Sequence, residues 1–448
     1  MDSRSGGGLV AVLQSMGGRL VFVFVNAFTG MITARALHPA GRGELAALGV
    51  WPNFLGGLLT FGLPSAFIFW SRSEPDQRVN FLWASIPITI VTGIMALITG
   101  VIGIPYWLGQ YSPHIVHVAQ FYMLNVFLVL IIANARAACE AEGKFLASSV
   151  ALCIAPILTL TGLLVLLFVH RLTPVTAATT YILSGIPACL ILLSRLRGFV
   201  QGRPTAILRA TRQLLGYGLR SYGVDICGAL SLYADQAVVV HFLDPGAMGI
   251  YVVALSLSRV IGVIYQGVAT VLFPKVVSLP AKELIALTGR AVRISTVMTV
   301  LCGLGVALVG PGLLSLLYGR DYRGATAILD ILILEMIVTG ATLVLTRPHM
   351  ALARPGFVTI LQSSGLALSL PLLFILVPRW GVLGASYALL AASTLRLVIC
   401  LVSFRYILRQ DMPELRPRRS DFTPLVVRAG ARIVQLRKRI LATDTLGL

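Results

Sequence analysis

The sequence predicts an all-α integral membrane protein of about twelve transmembrane helices, arranged as two parallel, pseudo-symmetric six-helix bundles. Three observations carry that expectation. The chain is 57% hydrophobic and only 12% charged, with a mean hydropathy of +0.88, so lipid rather than water must be its main solvent. Apolar segments of about 20 residues, long enough to cross the hydrocarbon core, recur with short polar breaks along nearly the whole chain. Finally, Leu37-His-Pro-Ala-Gly-Arg-Gly-Glu-Leu-Ala46 and Leu243-Asp-Pro-Gly-Ala-Met-Gly-Ile-Tyr-Val252 write one turn twice. Leu, Pro and the second Gly fall in register, and a long apolar segment flanks each copy.

The first bundle, 1–197, holds spans 1 to 6 at 10–36, 44–70, 80–105, 117–138, 146–169 and 175–196. A basic linker, 198–212, leads to the second bundle, 213–407, with spans 7 to 12 at 213–240, 247–273, 290–309, 324–346, 356–377 and 381–405. Residues 408–448 form a basic tail. In register, the two turns set span 1 opposite span 7 and span 2 opposite span 8. Each half holds an even number of spans, so both halves start on the same side and the repeat is parallel.

An even total puts both termini on one side, and loop charge decides which. With a cytoplasmic N-terminus, external loops carry only Arg42, Arg171, Arg320, Arg323 and Arg379, with Arg35 at the outer end of span 1, while most other Lys and Arg are cytoplasmic. That is the positive-inside bias. The largest cluster between spans, Arg195, Arg197, Arg203, Arg209 and Arg212, sits where the halves join. The first span reads as a retained signal anchor, its apolar run being too long for a cleavable signal.

A net charge of +19 could point to nucleic acid, but the charges are dispersed over cytoplasmic edges and the tail. Anionic membrane lipids suit them better. Residues 426–441 alternate apolar positions with Arg428, Arg432, Arg437, Lys438 and Arg439, as an interfacial helix or a solvated tail would. The six cysteines lack metal-ligand spacing, and His114 with His117 has no third ligand, so neither a metal nor a cofactor is expected. Loops are too short for a soluble catalytic domain and no phosphate-binding loop is present, so no catalytic residue is assigned.

Ionisable groups at bilayer depth cost about 2.5 to 3.5 kcal/mol each on insertion scales and need a partner, a wet cavity or a function. They are Arg19 on span 1, Arg220, Asp225 and Asp235 on span 7, Arg259 on span 8, Asp330 and Glu335 on span 10, and Arg396 on span 12. Arg19, Asn26 and Thr33 form one polar stripe, drifting about 20 degrees per step. Arg220, Ser221, Asp225, Ser231, Asp235 and Gln236 cover an arc of about 160 degrees on span 7, leaving the other face apolar. Both helices open their repeats, where a cavity between halves would be lined. Arg19, Asn26, Arg220 and Arg259 are therefore candidate substrate-binding residues of a cationic cavity, suited to a phosphate or acidic sugar. Asp225, Asp235, Asp330 and Glu335 are candidates for H+ or Na+ coupling or for salt bridges to those arginines, with Asp235 and Asp330 towards the outer mouth.

These residues lie within a pattern that resembles the Wzx-type polysaccharide flippases of the multidrug/oligosaccharidyl-lipid/polysaccharide exporter superfamily. Its first half carries Thr33-Ala-Arg-Ala-Leu37, the Pro-x-Gly-x-Gly turn and Gly62-Leu-Pro-Ser-Ala66. Its second carries Tyr233-Ala-Asp-Gln236 before Leu243-Asp-Pro, Gly249-Ile-Tyr-Val-Val-Ala254, Val271-Leu-Phe-Pro-Lys275, and Leu316-Leu-Tyr-Gly319 with Tyr322. The resemblance covers residues 10–405. It implies a fold like that of multidrug and toxin extrusion transporters, in a bacterial inner membrane with both termini cytoplasmic. It also implies a secondary transporter that flips undecaprenyl-pyrophosphate-linked repeat units of an exopolysaccharide or O-antigen by alternating access. Partners would be the lipid-linked oligosaccharide and the polymerase and glycosyltransferases of the same pathway. Two alternatives stand beside it: a multidrug antiporter for organic cations, against which three intramembrane arginines argue, and a membrane-embedded polymerase or glycosyltransferase, which the short external loops disfavour. Lipid II flippases look similar but typically have two further C-terminal spans, where this chain has a basic tail.

Overall fold

A computed structural model describes residues 4–197, 204–276, 279–352, 354–416, 418 and 421, with side chains described from residue 21 onward except at 273–275, 281 and 355. Among these residues the regular elements are all helical. Among the described residues, ten helices are long and apolar enough to cross a membrane. Two of the ten are divided by a non-helical residue inside them. Gly356–Tyr406 has 51 residues, about 77 Å if straight, more than twice the hydrocarbon core. It is divided at Gly381 (φ 58°, ψ −137°), between the expected spans 11 and 12. Val21–Leu58, with 38 residues, is divided at His38 (φ 57°, ψ 175°), between spans 1 and 2. Helix boundaries alone therefore do not fix the number of crossings at twelve.

Local chemistry starts and stops these helices where the sequence offers caps. Thr173 and Thr176 form a reciprocal capping box ahead of Pro174–Arg195, with Pro174 in the first turn. Ser112 accepts a bond from the Ile115 N–H ahead of Pro113–Tyr122. Proline costs no hydrogen bond at a helix start, where its missing N–H would be unpaired anyway. The helix of span 7, Ile207–Phe242, begins inside the stretch assigned to the linker. Ala210 and Leu214, one turn apart, are buried there, and this buried face extends the helix past the expected boundary.

Span 2 is not continuous. Its first helix ends at Leu58, and Leu63–Ser73 resumes it after a break with Phe61 at φ 47° and Gly62 at φ 70°. The break is pressed against span 7, since a Cβ on Gly62 would lie 2.2 Å from the Gly218 carbonyl oxygen. Glycine is needed at Gly62 for both reasons.

The chain groups into two compact units: residues 1–260, 309–332 and 366–391, and residues 261–308, 333–365 and 392–448. The first contains one core around Leu63, Phe81, Leu192 and Leu214. The second is built around Leu272, Val344, Leu361 and Phe404.

Candidate functional site

In the first unit, the two copies of the repeated turn pack on each other. A Cβ on Gly43 would lie 1.7 Å from the carbonyl oxygen of Pro245, and one on Gly249 would lie 1.9 Å from that of Pro39. Pro39 and Pro245 are equivalent positions, as are Gly43 and Gly249, so the contact is reciprocal. Each glycine removes the one atom that would hold the opposite backbone away. The Tyr322 hydroxyl donates to the Ala34 carbonyl (3.2 Å), and His38 Nδ1 lies 2.8 Å from Asp321 Oδ2.

Span 7 carries two acids in this unit, each held differently. Asp225 accepts from the Thr60 hydroxyl (3.2 Å) and from the Gly62 backbone N–H, so it clasps the break in span 2. Tyr222, on the preceding turn, donates its hydroxyl to Leu58 O. Asp235 is 3% exposed and accepts from the Tyr251 hydroxyl at 2.6 Å. It also interacts electrostatically with Arg259, so two predicted site residues share one environment.

The arginines differ from the acids. Arg220 and Arg259 are exposed, and neither forms an ion pair among the described residues. Asn26 is half-buried and spends its amide on the Phe22 carbonyl (2.7 Å). Thr33, further along that stripe, is fully buried and donates to Thr29 O (2.8 Å). Asp330 is exposed. The side chain of Arg19 and the whole stretch 426–441 lie outside the described residues.

In the second unit, Glu335 anchors a network within the span 10 to 12 core. Its Oε1 accepts from Thr339 and Ser393 (both 2.6 Å), and Arg396 Nη2 lies 3.9 Å away. Arg396 in turn donates to Ser393 (2.8 Å) and Gln362 (3.0 Å). A hydroxyl ring around a buried carboxylate supplies donors that the bilayer cannot. Sequence reasoning found Glu335 and Arg396 but missed Thr339, Gln362 and Ser393. Helical spacing was the available signal, since Thr339 follows Glu335 by four and Arg396 follows Ser393 by three.

The tail closes over the same unit. Asp421 is buried and takes two bonds from Arg293 (2.6 and 2.9 Å), with Arg290 at 3.8 Å. Arg293 also donates to the Glu414 carbonyl (2.7 Å). The Arg293 guanidinium holds the Asp421 carboxyl below its usual range, at about 2.

Long apolar helices packed side by side, one of them broken, define a multi-pass membrane protein. Its fold is similar to that of the lipid II flippase MurJ in an inward closed conformation (TM-score 0.73, 15% identity, 89% of this chain and 87% of that one). It is also similar to a MATE-family multidrug resistance transporter of the MOP superfamily in its inward-facing conformation (TM-score 0.65, 15% identity, 86% and 93% of the chains). Among curated proteins, it matches the probable low-salt glycan biosynthesis flippase Agl15 of Haloferax volcanii at 23% identity over 235 residues, 49% of this chain. The chain spans about half the length of that relative. The model of the family described as "Polysaccharide biosynthesis protein" matches residues 32–327, and the chain belongs to that family.

Proposed function

We propose that the protein is a secondary transporter that flips undecaprenyl-pyrophosphate-linked oligosaccharide repeat units, of an exopolysaccharide or O-antigen, across a bacterial inner membrane by alternating access. One observation carries the reading within its family. Asp225, Asp235 and Glu335 all accept hydrogen bonds from neighbouring groups, while Arg220 and Arg259 stand exposed and without an ion pair among the described residues. Exposed guanidinium groups favour an anionic cargo, because they bind oxyanions bidentately and stay charged at any depth. An exporter of organic cations would need the reverse.

In this reading Arg220 and Arg259, with Arg19 and Asn26 from span 1, hold the pyrophosphate and first sugars. Asp225, Asp235 and Glu335 are the residues at which H+ or Na+ coupling acts, with Asp330 at the outer mouth. Both termini are cytoplasmic, and the basic tail meets anionic lipid. The polymerase and glycosyltransferases of the same pathway supply and consume the cargo.

Arg19→Ala, Arg220→Ala and Arg259→Ala each test the cavity in cells that depend on this protein. The expected result is loss of surface polysaccharide with lipid-linked repeat units accumulating on the cytoplasmic side. Normal polymer from all three variants removes the cavity assignment. Organic-cation efflux that responds to the protein, with unchanged polysaccharide, selects the antiporter instead.

A further inference from the structure

The first unit contains an apolar recess of about 380 Å³ that none of the contacts above uses. Phe61, Pro87, Val91, Met95, Leu215 and Leu219 line it. It exists because two helices are irregular where they meet span 7. Phe61 sits in the left-handed break of span 2 (φ 47°), and Pro87 lies inside the helix Arg78–Trp107 of span 3, where a proline forfeits one backbone bond and bends the helix. Gly218 admits the Phe61–Gly62 backbone on one side of span 7. On span 7 the lining residues Thr211, Leu215 and Leu219 follow one another at four-residue spacing, the pattern of a single stripe.

Nothing polar is offered inside. The two hydroxyls in the lining are turned away, Thr211 donating to Ile207 O (2.9 Å) and Thr92 to Thr89 O (3.2 Å). Val91, Met95 and Leu219 are substantially exposed there, so the recess is open rather than sealed. Just beyond Thr211 stands Arg212, exposed and without an ion pair among the described residues. Arg220 stands eight residues further on, about 12 Å along the axis.

Resting on the flippase reading above, we propose that this recess is the binding site for the isoprenoid chain of the lipid carrier, with Arg212 meeting its phosphate at the mouth. A flat helix face suffices for the straight chains of bulk phospholipid. A recess is what a chain with a methyl branch on every unit needs, since packed branches leave no void against a shaped wall. The charge order agrees: hydrocarbon-lined walls first, then a guanidinium that binds oxyanions. Anchoring the chain on span 7 keeps it in lipid, with the headgroup held first at Arg212 and passed to Arg220 of the same helix afterwards.

The test uses the full-length protein in phosphatidylethanolamine nanodiscs with two photoreactive probes. One is a polyprenyl pyrophosphate carrying a diazirine in its chain, the other a phosphatidylglycerol carrying a diazirine in an acyl chain. After irradiation, peptide mapping reads where each probe attaches. The polyprenyl probe should label peptides covering 87–95 and 211–219 about tenfold more than the phosphatidylglycerol probe does, the scale of a shaped apolar pocket's discrimination. Leu215→Trp, which fills the recess, should remove that excess and leave labelling elsewhere unchanged. Met95→Trp serves the same end if Leu215→Trp does not fold. Equal labelling by both probes, or polyprenyl attachment confined to other helices, overturns the proposal. Surface polysaccharide in cells lacking the protein is the separate readout. If export depends on the protein but the recess is not labelled, the recess assignment fails alone; if export is independent of it, the flippase reading fails and this proposal with it.

Discussion

The repeated turns and the Glu335 network hold polypeptide together by opposite means. At the turns, Gly43 meets the Pro245 carbonyl and Gly249 meets the Pro39 carbonyl, so the join depends on the absence of side chains and uses the same residues in both copies. Around Glu335, the join depends on side chains, and no residue pair repeats across the halves: Glu335, Thr339, Gln362, Ser393 and Arg396 all belong to the second. A reciprocal contact forces both copies to retain one chemistry. Charge, which acts within a single core, is free to differ between them. Even within the turns the position not in contact has diverged. Asp244 caps its helix through the Ala247 N–H (3.2 Å), whereas the equivalent His38 adopts φ 57° and pairs with Asp321.

Breaking the charged side should have the larger effect. Glu335→Ala leaves the half-buried Arg396 without its anion, and removing one partner of a fully buried pair costs about 3 to 5 kcal/mol, an upper limit for this one. Thermal unfolding of the purified protein should register that loss, and Glu335→Gln, which keeps an acceptor oxygen, should lose less. If both variants melt with the parent, the network does not support the second unit.

Breaking the glycine contact comes next. Gly43→Ala and Gly249→Ala each place a Cβ within 2 Å of an opposing carbonyl oxygen, an overpacking cost of about 1 to 3 kcal/mol. Because either change alone separates the same two surfaces, the double variant should cost much less than the sum. Additive losses in a double-mutant cycle would mean that the two contacts are independent and not one joint.

Smaller effects sharpen the comparison. Thr60→Val removes a donor to Asp225 and should cost about 1 kcal/mol, with the Gly62 N–H still in place. Hydrogen exchange at residues 58–63 should rise; unchanged exchange would remove the clasp. Asp321→Ala breaks a pair exposed on both sides, worth about 0.5 kcal/mol or less, and raised salt should erase even that.

The smallest effect expected at neutral pH concerns the tail. Asp421 is held at about 2, down from the ordinary 3.8, so its bond to Arg293 contributes fully above about pH 4 and is lost as pH falls from there to about 2. Hydrogen exchange of residues 411–416 should be flat from pH 7 to 5 after correction for intrinsic rates, then rise on further acidification. A rise beginning near neutrality would exclude Asp421 as its source.

Membrane character, the duplication and the family resemblance were legible because each is written locally. Hydropathy needs no partner, and Pro39 with Gly43 and Pro245 with Gly249 are visible as a repeat without knowing what they touch. The helix start at Pro174 falls one residue from the expected span 6, whereas the helix from Pro113 begins four residues ahead of the expected span 4. The linker boundary was not legible, because the helix from Ile207 is extended by Ala210 and Leu214 burying against other spans.

By itself, then, the sequence determined the solvent, the repeat and the residues that carry charge, since these follow from composition and from spacing along the chain. Only the tertiary structure decided what those residues meet. It set the two turns against one another, gave Asp225 to the break in span 2 and Glu335 to a ring of hydroxyls, and left Arg220 and Arg259 without an ion pair among the described residues. The reason is physical: a buried charge or a missing Cβ has its energy fixed by the atoms opposite, and those come from segments far away in the chain.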